Sequence, residues 1–429
     1  MRRMAFSLAL AAILWGAAPP AAHAQALSSC TALGQNLYVR DVMTDLYLWY
    51  SEMPGVDPAD YDTPEAYLEA IRFRPLDTTF SYITSRAEND AFFSSSQFIG
   101  IGISTSVVGN EMRVLQVFPE SPAAEAGLSR GDRILTIDRQ SVADLVQRGT
   151  IDTAFGPSDA GVAVDVTFRD LSGTAHDAHL VKRPVTIPTV SLTRVYEQNG
   201  RRIGYIFFRN FVEPSIEALD AAFNELNAAG VNDLVLDLRY NGGGLVGVAQ
   251  HLASLIGGVR TRGQVFTEYF HNDKNMFRNR RVRFLQRPNA AQLDRLIVIT
   301  TRASASASEL VINSLRPFMP VVIIGDRTYG KPVGQYQVGF CDRLLAPVSF
   351  MLRNANGEGS YFAGLAADCP ADDDPEHQLG DPEEASLREA FTFIASGSCT
   401  PPAPGRPRSA LDVRSPRRVV GWRSVINAY

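Results

Sequence analysis

Residues 233–244 read DLVLDLRYNGGG, a short apolar run that ends abruptly at Asn241 and passes into Gly242, Gly243 and Gly244. A run of this length without alternation fits a strand buried on both faces. The flanking segments decide the fold class. Arg202 to Phe208 reads as a strand and Pro214 to Ala228 as an amphipathic helix; after the glycines, Leu245 to Ile256 reads as a second helix. Leu296 to Thr300 is another buried strand, Ser306 to Leu315 a helix, and Val321 to Ile324 a strand. Strands alternating with helices specify an α/β core, expected over 186–400, with a last helix opened by Asp381-Pro382-Glu383-Glu384.

Upstream the periodicity changes. Residues 97–185 carry short alternating strands, among them Ile99-Gly100-Ile101-Gly102-Ile103, Met112 to Val117, Asp132 to Ile137 and Val162 to Phe168. Two short helices interrupt them, Ser121 to Leu128 and Ser141 to Arg148, so this is one compact β-rich module. Residues 25–96 read as a helical region rich in aromatics, with Leu33, Leu37, Val42, Leu46 and Trp49 on one helical face. A second helix there starts after Asp62-Thr63-Pro64. Residues 401–429 form a tail rich in proline and arginine.

The 429 residues are 45% hydrophobic and 20% charged, enough for more than one domain. A net charge of -5 gives no general attraction to nucleic acid or to anionic lipid, so no nucleic-acid partner is expected. Residues 1–24 resemble an export signal: Arg2 and Arg3, an apolar run from Ala5 to Ala18, then Ala22-His23-Ala24. Cleavage near Ala24 would make the chain periplasmic or secreted. A lipoprotein is the alternative, because Leu27-Ser28-Ser29-Cys30 resembles a lipobox; membrane association is expected only through lipid on Cys30. The four cysteines suit disulfides in an oxidising compartment, and the pairs Cys341–Cys369 and Cys30–Cys399 are favoured among three possible pairings. No cysteine or histidine spacing indicates a metal site, and no cofactor is implied.

Of 41 basic residues only Lys182, Lys274 and Lys331 are lysine, leaving 41 − 3 = 38 arginines. Arginine does not give up its proton in a protein, whereas a desolvated lysine can act as a base. Lys331 sits in Tyr329-Gly330-Lys331-Pro332 just after a buried strand; Lys182 and Lys274 read as surface charges. A nucleophile is available in Ser304-Ala305-Ser306-Ala307-Ser308-Glu309, where small residues would let a strand-to-helix turn expose one hydroxyl. The helix start there favours developing negative charge. An alanine–serine run is equally an ordinary loop. The three glycines leave backbone N–H groups unobstructed, which suits an oxyanion hole, a phosphate cradle or simply a tight turn, but the lysine of a phosphate loop is missing. None of the six histidines falls in a motif with serine.

DLRYNGGG, SASASE and YGK with Gln335 four residues on, in this order and spacing, resemble the carboxyl-terminal processing and tail-specific serine peptidases of family S41. FIGIGI and SPAAEAGLSRGDRILTI likewise resemble a PDZ domain. The resemblance covers roughly 98–340 and implies a peptidase core of layered sheet and helices, of the crotonase and ClpP kind. It also implies an inserted PDZ domain and an N-terminal helical cap. It assigns Ser306 as nucleophile, Lys331 as base and Gln335 as the residue positioning the lysine. The backbone N–H groups of Gly243 and Ala307, with Gly244 adjacent, become the oxyanion hole. Backbone groups near Gly100 and Gly102, with Ile101 and Ile103, become a site for the carboxyl terminus of a protein or peptide substrate. Pro332 departs from the family pattern, which has glycine after the lysine. Two other function classes remain open: a peptide-binding protein of the same fold without catalysis, and an acyl-CoA-handling enzyme. Asp372-Asp373-Asp374 reads as a solvated acidic loop rather than a calcium site.

Overall fold

The computed structural model describes residues 29–401, so the expected export signal and the arginine-rich tail lie outside the described residues. At the centre is a six-stranded sheet in the order 190–198, 201–208, 233–237, 295–300, 321–325, 369–370. The first pair is antiparallel and every later pair parallel. Its inner strands are buried on both faces, which is why they read as continuous apolar runs. Alternate residues face opposite ways: Ile206, Leu234, Leu236, Leu296 and Val298 enter one core, while Tyr205, Val235, Ile297 and Ile299 enter another.

The first core is filled by helices Ser215–Ala228, Val246–Gly257 and Ala307–Leu315. In Ser215–Ala228 the buried residues Leu219, Ala222, Phe223 and Leu226 recur at helical spacing. Ala307–Leu315 is buried along its entire length, because a four-stranded antiparallel sheet covers its other side. That sheet runs in the order 280–283, 265–271, 348–353, 333–335. These strands, and the three-stranded sheet of 82–85, 343–346 and 338–340, lie in stretches where the sequence carries no clean period. The second core is closed by helix Ala385–Ser396, capped by Glu384 rather than Asp381.

The β-rich module inserts between strands Gln97–Gly100 and Arg183–Thr186, which pair antiparallel where the chain enters and leaves it. Its own core gathers Ile101, Ile103, Met112, Val114, Ile134 and Phe168. The N-terminal helix Ala32–Leu46 turns inward a stripe of Asn36, Val39, Val42, Met43 and, just beyond it, Tyr47. Leu33 of the expected stripe is exposed. The stripe is displaced because Asn36 is satisfied inside, donating to Pro58 and Tyr61 carbonyls at 2.9 and 2.7 Å. Helix Pro64–Ile71 follows, with Thr63 as N-cap and proline at its first turn.

The disulfides correct the expected pairing: they join Cys30 to Cys341 and Cys369 to Cys399. Cys369 lies on the last strand of the central sheet, beneath helix Ala385–Ser396, whose end delivers Cys399 alongside it. Cys341 sits on a turn beside the start of the N-terminal helix, where it meets Cys30. The Cys30 thiol is engaged with Cys341. Lys182 is a second correction. It is buried and donates to the carbonyls of Phe155 and Pro157, both at 2.5 Å. No described helix is long and apolar enough to cross a membrane.

The Cys369–Cys399 bond closes a loop with a sequence separation of 30. Replacing both cysteines by serine is expected to lower unfolding free energy by about 3–4 kcal/mol through denatured-chain entropy. Denaturant unfolding of the variant checks this.

Candidate active site

The serine turn is built where strand Arg295–Thr300 meets helix Ala307–Leu315. Ser306 occupies the N-cap with φ +55° and ψ −111°, a conformation costly for any residue with a Cβ. Three contacts hold it there. Ser304 Oγ donates to Leu238 O at 2.7 Å, Ser308 Oγ donates to Asn241 O at 2.9 Å, and Ala305 N donates to Asn241 O at 3.1 Å. Ser304 and Ser308 are therefore buried and committed to the end of the neighbouring strand, whereas Ser306 keeps partial exposure. Of the motif's serines, only Ser306 faces the cavity.

That cavity holds about 300 Å³ and also contains Lys331, Gln335 and the glycine run Gly242, Gly243 and Gly244. Lys331 is 4% exposed, its ammonium position 5.8 Å from the centre of the Phe80 ring. Gln335 donates to Phe80 O at 2.8 Å, fixing the strand just after the lysine. The rest of the wall is largely apolar: Leu245, Leu310, Phe350, Leu352 and Tyr361.

The residue that ties these parts together is Glu309, which sequence reasoning passed over. It is fully buried. Its Oε2 accepts from Ser306 N at 2.9 Å and from Lys331 N at 2.8 Å; its Oε1 accepts from Gly330 N at 2.7 Å and Thr328 Oγ1 at 2.5 Å. One carboxylate oxygen thus holds the backbones of both Ser306 and Lys331, so their nitrogens lie no farther apart than the sum of those two bonds. The signal was present in the sequence as a serine followed three residues later by glutamate, the spacing of a capping box.

Burial pushes the Glu309 carboxyl up from 4.5 to about 6, with Thr328 and the three backbone N–H groups opposing it. A carboxyl raised in the folded state contributes stability that is complete below its unfolded value and lost as pH rises through the folded one. Over that window the loss is about 2 kcal/mol. Relative to Glu309→Gln, wild-type stability is expected to decline between about pH 4.5 and 6 and to run parallel above. Urea unfolding at a series of pH values measures it; parallel behaviour throughout would contradict it.

Gly243 packs directly on the serine turn: a Cβ built there would lie 2.8 Å from Ala305 O, Ala307 N and Ser306 Cβ. Its N–H, expected to be free, donates to Asn241 Oδ1 at 2.9 Å, and the Asn241 amide in turn donates to Phe208 O at 2.8 Å. Pairing with Phe211 uses Gly243 O and Leu245 N, so the Gly244 N–H points to the other side of the strand. Among the described residues, the N–H groups of Gly244 and Ala307 have no hydrogen-bond partner. In the β-rich module Ile101 and Ile103 are buried in its core.

Residues 202–366 match the family model described as Peptidase family S41, 34–82 match the Peptidase S41 N-terminal domain, and 100–167 match the PDZ domain. The chain is 28% identical over 246 residues to the chloroplastic C-terminal processing peptidase of Tetradesmus obliquus, covering 54% of this chain and 51% of that protein. It is 29% identical over 245 residues to the carboxyl-terminal-processing protease of Picosynechococcus, covering 56% and 55%. The chain spans about half the length of these curated relatives. Among solved structures, a putative S41 protease from Bacteroides fragilis superposes with a TM-score of 0.69 at 24% identity, over 84% of this chain and 97% of that one. The photosystem II D1 C-terminal processing protease gives 0.53 at 23% identity, over 84% and 97%. These likenesses establish the fold, an α/β core with a PDZ domain and an N-terminal helical cap.

Proposed function

Because the chain belongs to peptidase family S41, we propose that it is a serine endopeptidase acting on exported proteins, with Ser306 as nucleophile and Lys331 as general base. The observation that carries this reading is the shared carboxylate oxygen of Glu309, which fixes both residues on one cavity. An ordinary lysine is charged at neutral pH, and removal from water favours its uncharged form. Neutral Lys331 takes the Ser306 proton as Oγ attacks the peptide carbonyl carbon. The tetrahedral oxyanion is met by the Ala307 and Gly244 N–H groups, at the N-terminus of a nine-residue helix. Lys331 then returns the proton to the leaving amine, and water hydrolyses the acyl-enzyme by the same route. Gln335 acts one step back, holding the strand that follows the lysine.

The apolar wall of Leu310, Phe350, Leu352 and Tyr361 suits an apolar side chain before the scissile bond. The PDZ domain would take the carboxyl terminus of the substrate by strand addition. The test is product analysis by mass spectrometry on a disordered protein supplied with a free and with an amidated C-terminus. Internal cleavage that is lost in Ser306→Ala and slowed by amidation is the expected result. Binding of both forms without cleavage by the wild-type chain would replace this reading with that of a peptide-binding protein.

A further inference from the structure

Beside the apolar contacts of Leu115 and Phe118, the PDZ domain sends one buried cation, Arg130, into the core. Arg130 is 4% exposed and spends its guanidinium on three separate segments. It donates to Leu115 O at 2.8 Å within the PDZ domain, and to Tyr240 Oη at 2.8 Å in the core. In the saddle between them it donates to His377 O at 2.9 Å, Asp373 Oδ1 at 3.1 Å and Asp374 O at 3.2 Å. Tyr240 Oη in turn donates to Asp373, whose oxygens lie 2.7 and 2.6 Å away. Asp373 also meets the buried Arg239 at 3.3 Å. Burial opposes its ionisation, but Arg239 and Arg130 hold it below the usual carboxylate range. The acidic run expected to be a solvated loop is thus the saddle on which the PDZ domain rests. Gly131, at φ +96°, lets that contact close, since a Cβ there would lie 2.5 Å from Pro375 O.

Tyr240 is not a neutral anchor. It holds φ +62°, its carbonyl accepts from buried Arg209, and the next residue is Asn241. Asn241 carries the serine turn on its carbonyl and Gly243 on its side chain. We propose that Arg130 is a positioning residue through which the docked PDZ domain holds the glycine strand and the serine turn in their working geometry. The PDZ domain is then an activator of the site, and this holds for substrates whose C-terminus it never grips. The inference rests on the Ser306 reading above for its kinetic arm only.

The test uses the full chain, a peptide amide as substrate, and Arg130→Met, Tyr240→Phe and the double variant. Each single variant should lower kcat, Arg130→Met by about tenfold, with KM within about twofold, because geometry and not ground-state binding is disturbed. The double variant should be no worse than Arg130→Met, since both residues act in one network. Amide hydrogen exchange over 241–245 should quicken in Arg130→Met while exchange in the PDZ strands stays as in wild type. Unchanged kcat, additive losses, or a rise in KM alone would overturn the proposal. If the wild-type chain does not hydrolyse the peptide while Ser306→Ala behaves identically, the catalytic reading has failed. Exchange then decides: quickened exchange at 241–245 upholds the relay, and unchanged exchange removes it.

Discussion

Lys331→Arg is expected to reduce hydrolysis of a disordered protein by about a thousandfold or more, to the level of Ser306→Ala. The substitution keeps a basic side chain of nearly the same length, in a chain that already uses 38 arginines and 3 lysines among its 41 basic residues. What it removes is the ability to exist uncharged, because a guanidinium keeps its proton at any pH the fold tolerates. The lysine backbone would stay on Glu309 through a bond that does not involve the side chain. Loss of activity with unchanged unfolding behaviour would therefore report proton transfer and not collapse of the loop. An active Lys331→Arg enzyme would leave the lysine with no catalytic task.

Gly243→Ala has the second largest expected effect. At φ +98° an alanine is strained, and its Cβ would press at 2.8 Å on Ala305 O, Ala307 N and Ser306 Cβ together. None of these is the free end of a flexible side chain, so the serine turn itself must shift. A displacement of this kind next to the reacting atoms is expected to lower kcat about a hundredfold. Gly247 supplies the comparison: a Cβ there meets nothing within 4 Å, and Gly247→Ala should retain wild-type kcat. Equal activity in the two variants would mean that the glycine strand does not shape the site.

The parts of this fold that follow simple periods were legible from residues alone. Strand 233–237 and helix Ala307–Leu315 are buried, regular and bounded by glycine or small residues, and the motifs at their ends come together in one cavity. Strands such as 265–271 and 348–353 escaped because an antiparallel sheet packed on a helix on one side and partly wet on the other leaves a mixed pattern. The disulfide pairing escaped for a different reason. Spacing along the chain says nothing about which turn lies beside which helix end, and only the tertiary fold sets Cys369 against Cys399. Glu309 and Asp373 share a third cause: a carboxylate in sequence reads as solvent-facing, and the donors that tie Glu309 inside and half-bury Asp373 become visible only in the fold. Lys182 repeats that lesson with a cation, its burial lowering its proton affinity.

The most direct measurement is the covalent intermediate. Wild-type protein quenched in acid during turnover of a peptide ester, then digested and weighed, should carry one acyl group on the fragment containing Ser306. The same experiment on Ser306→Ala should yield neither adduct nor turnover. An acyl group on any other residue, or turnover persisting without an adduct in Ser306→Ala, would contradict the account.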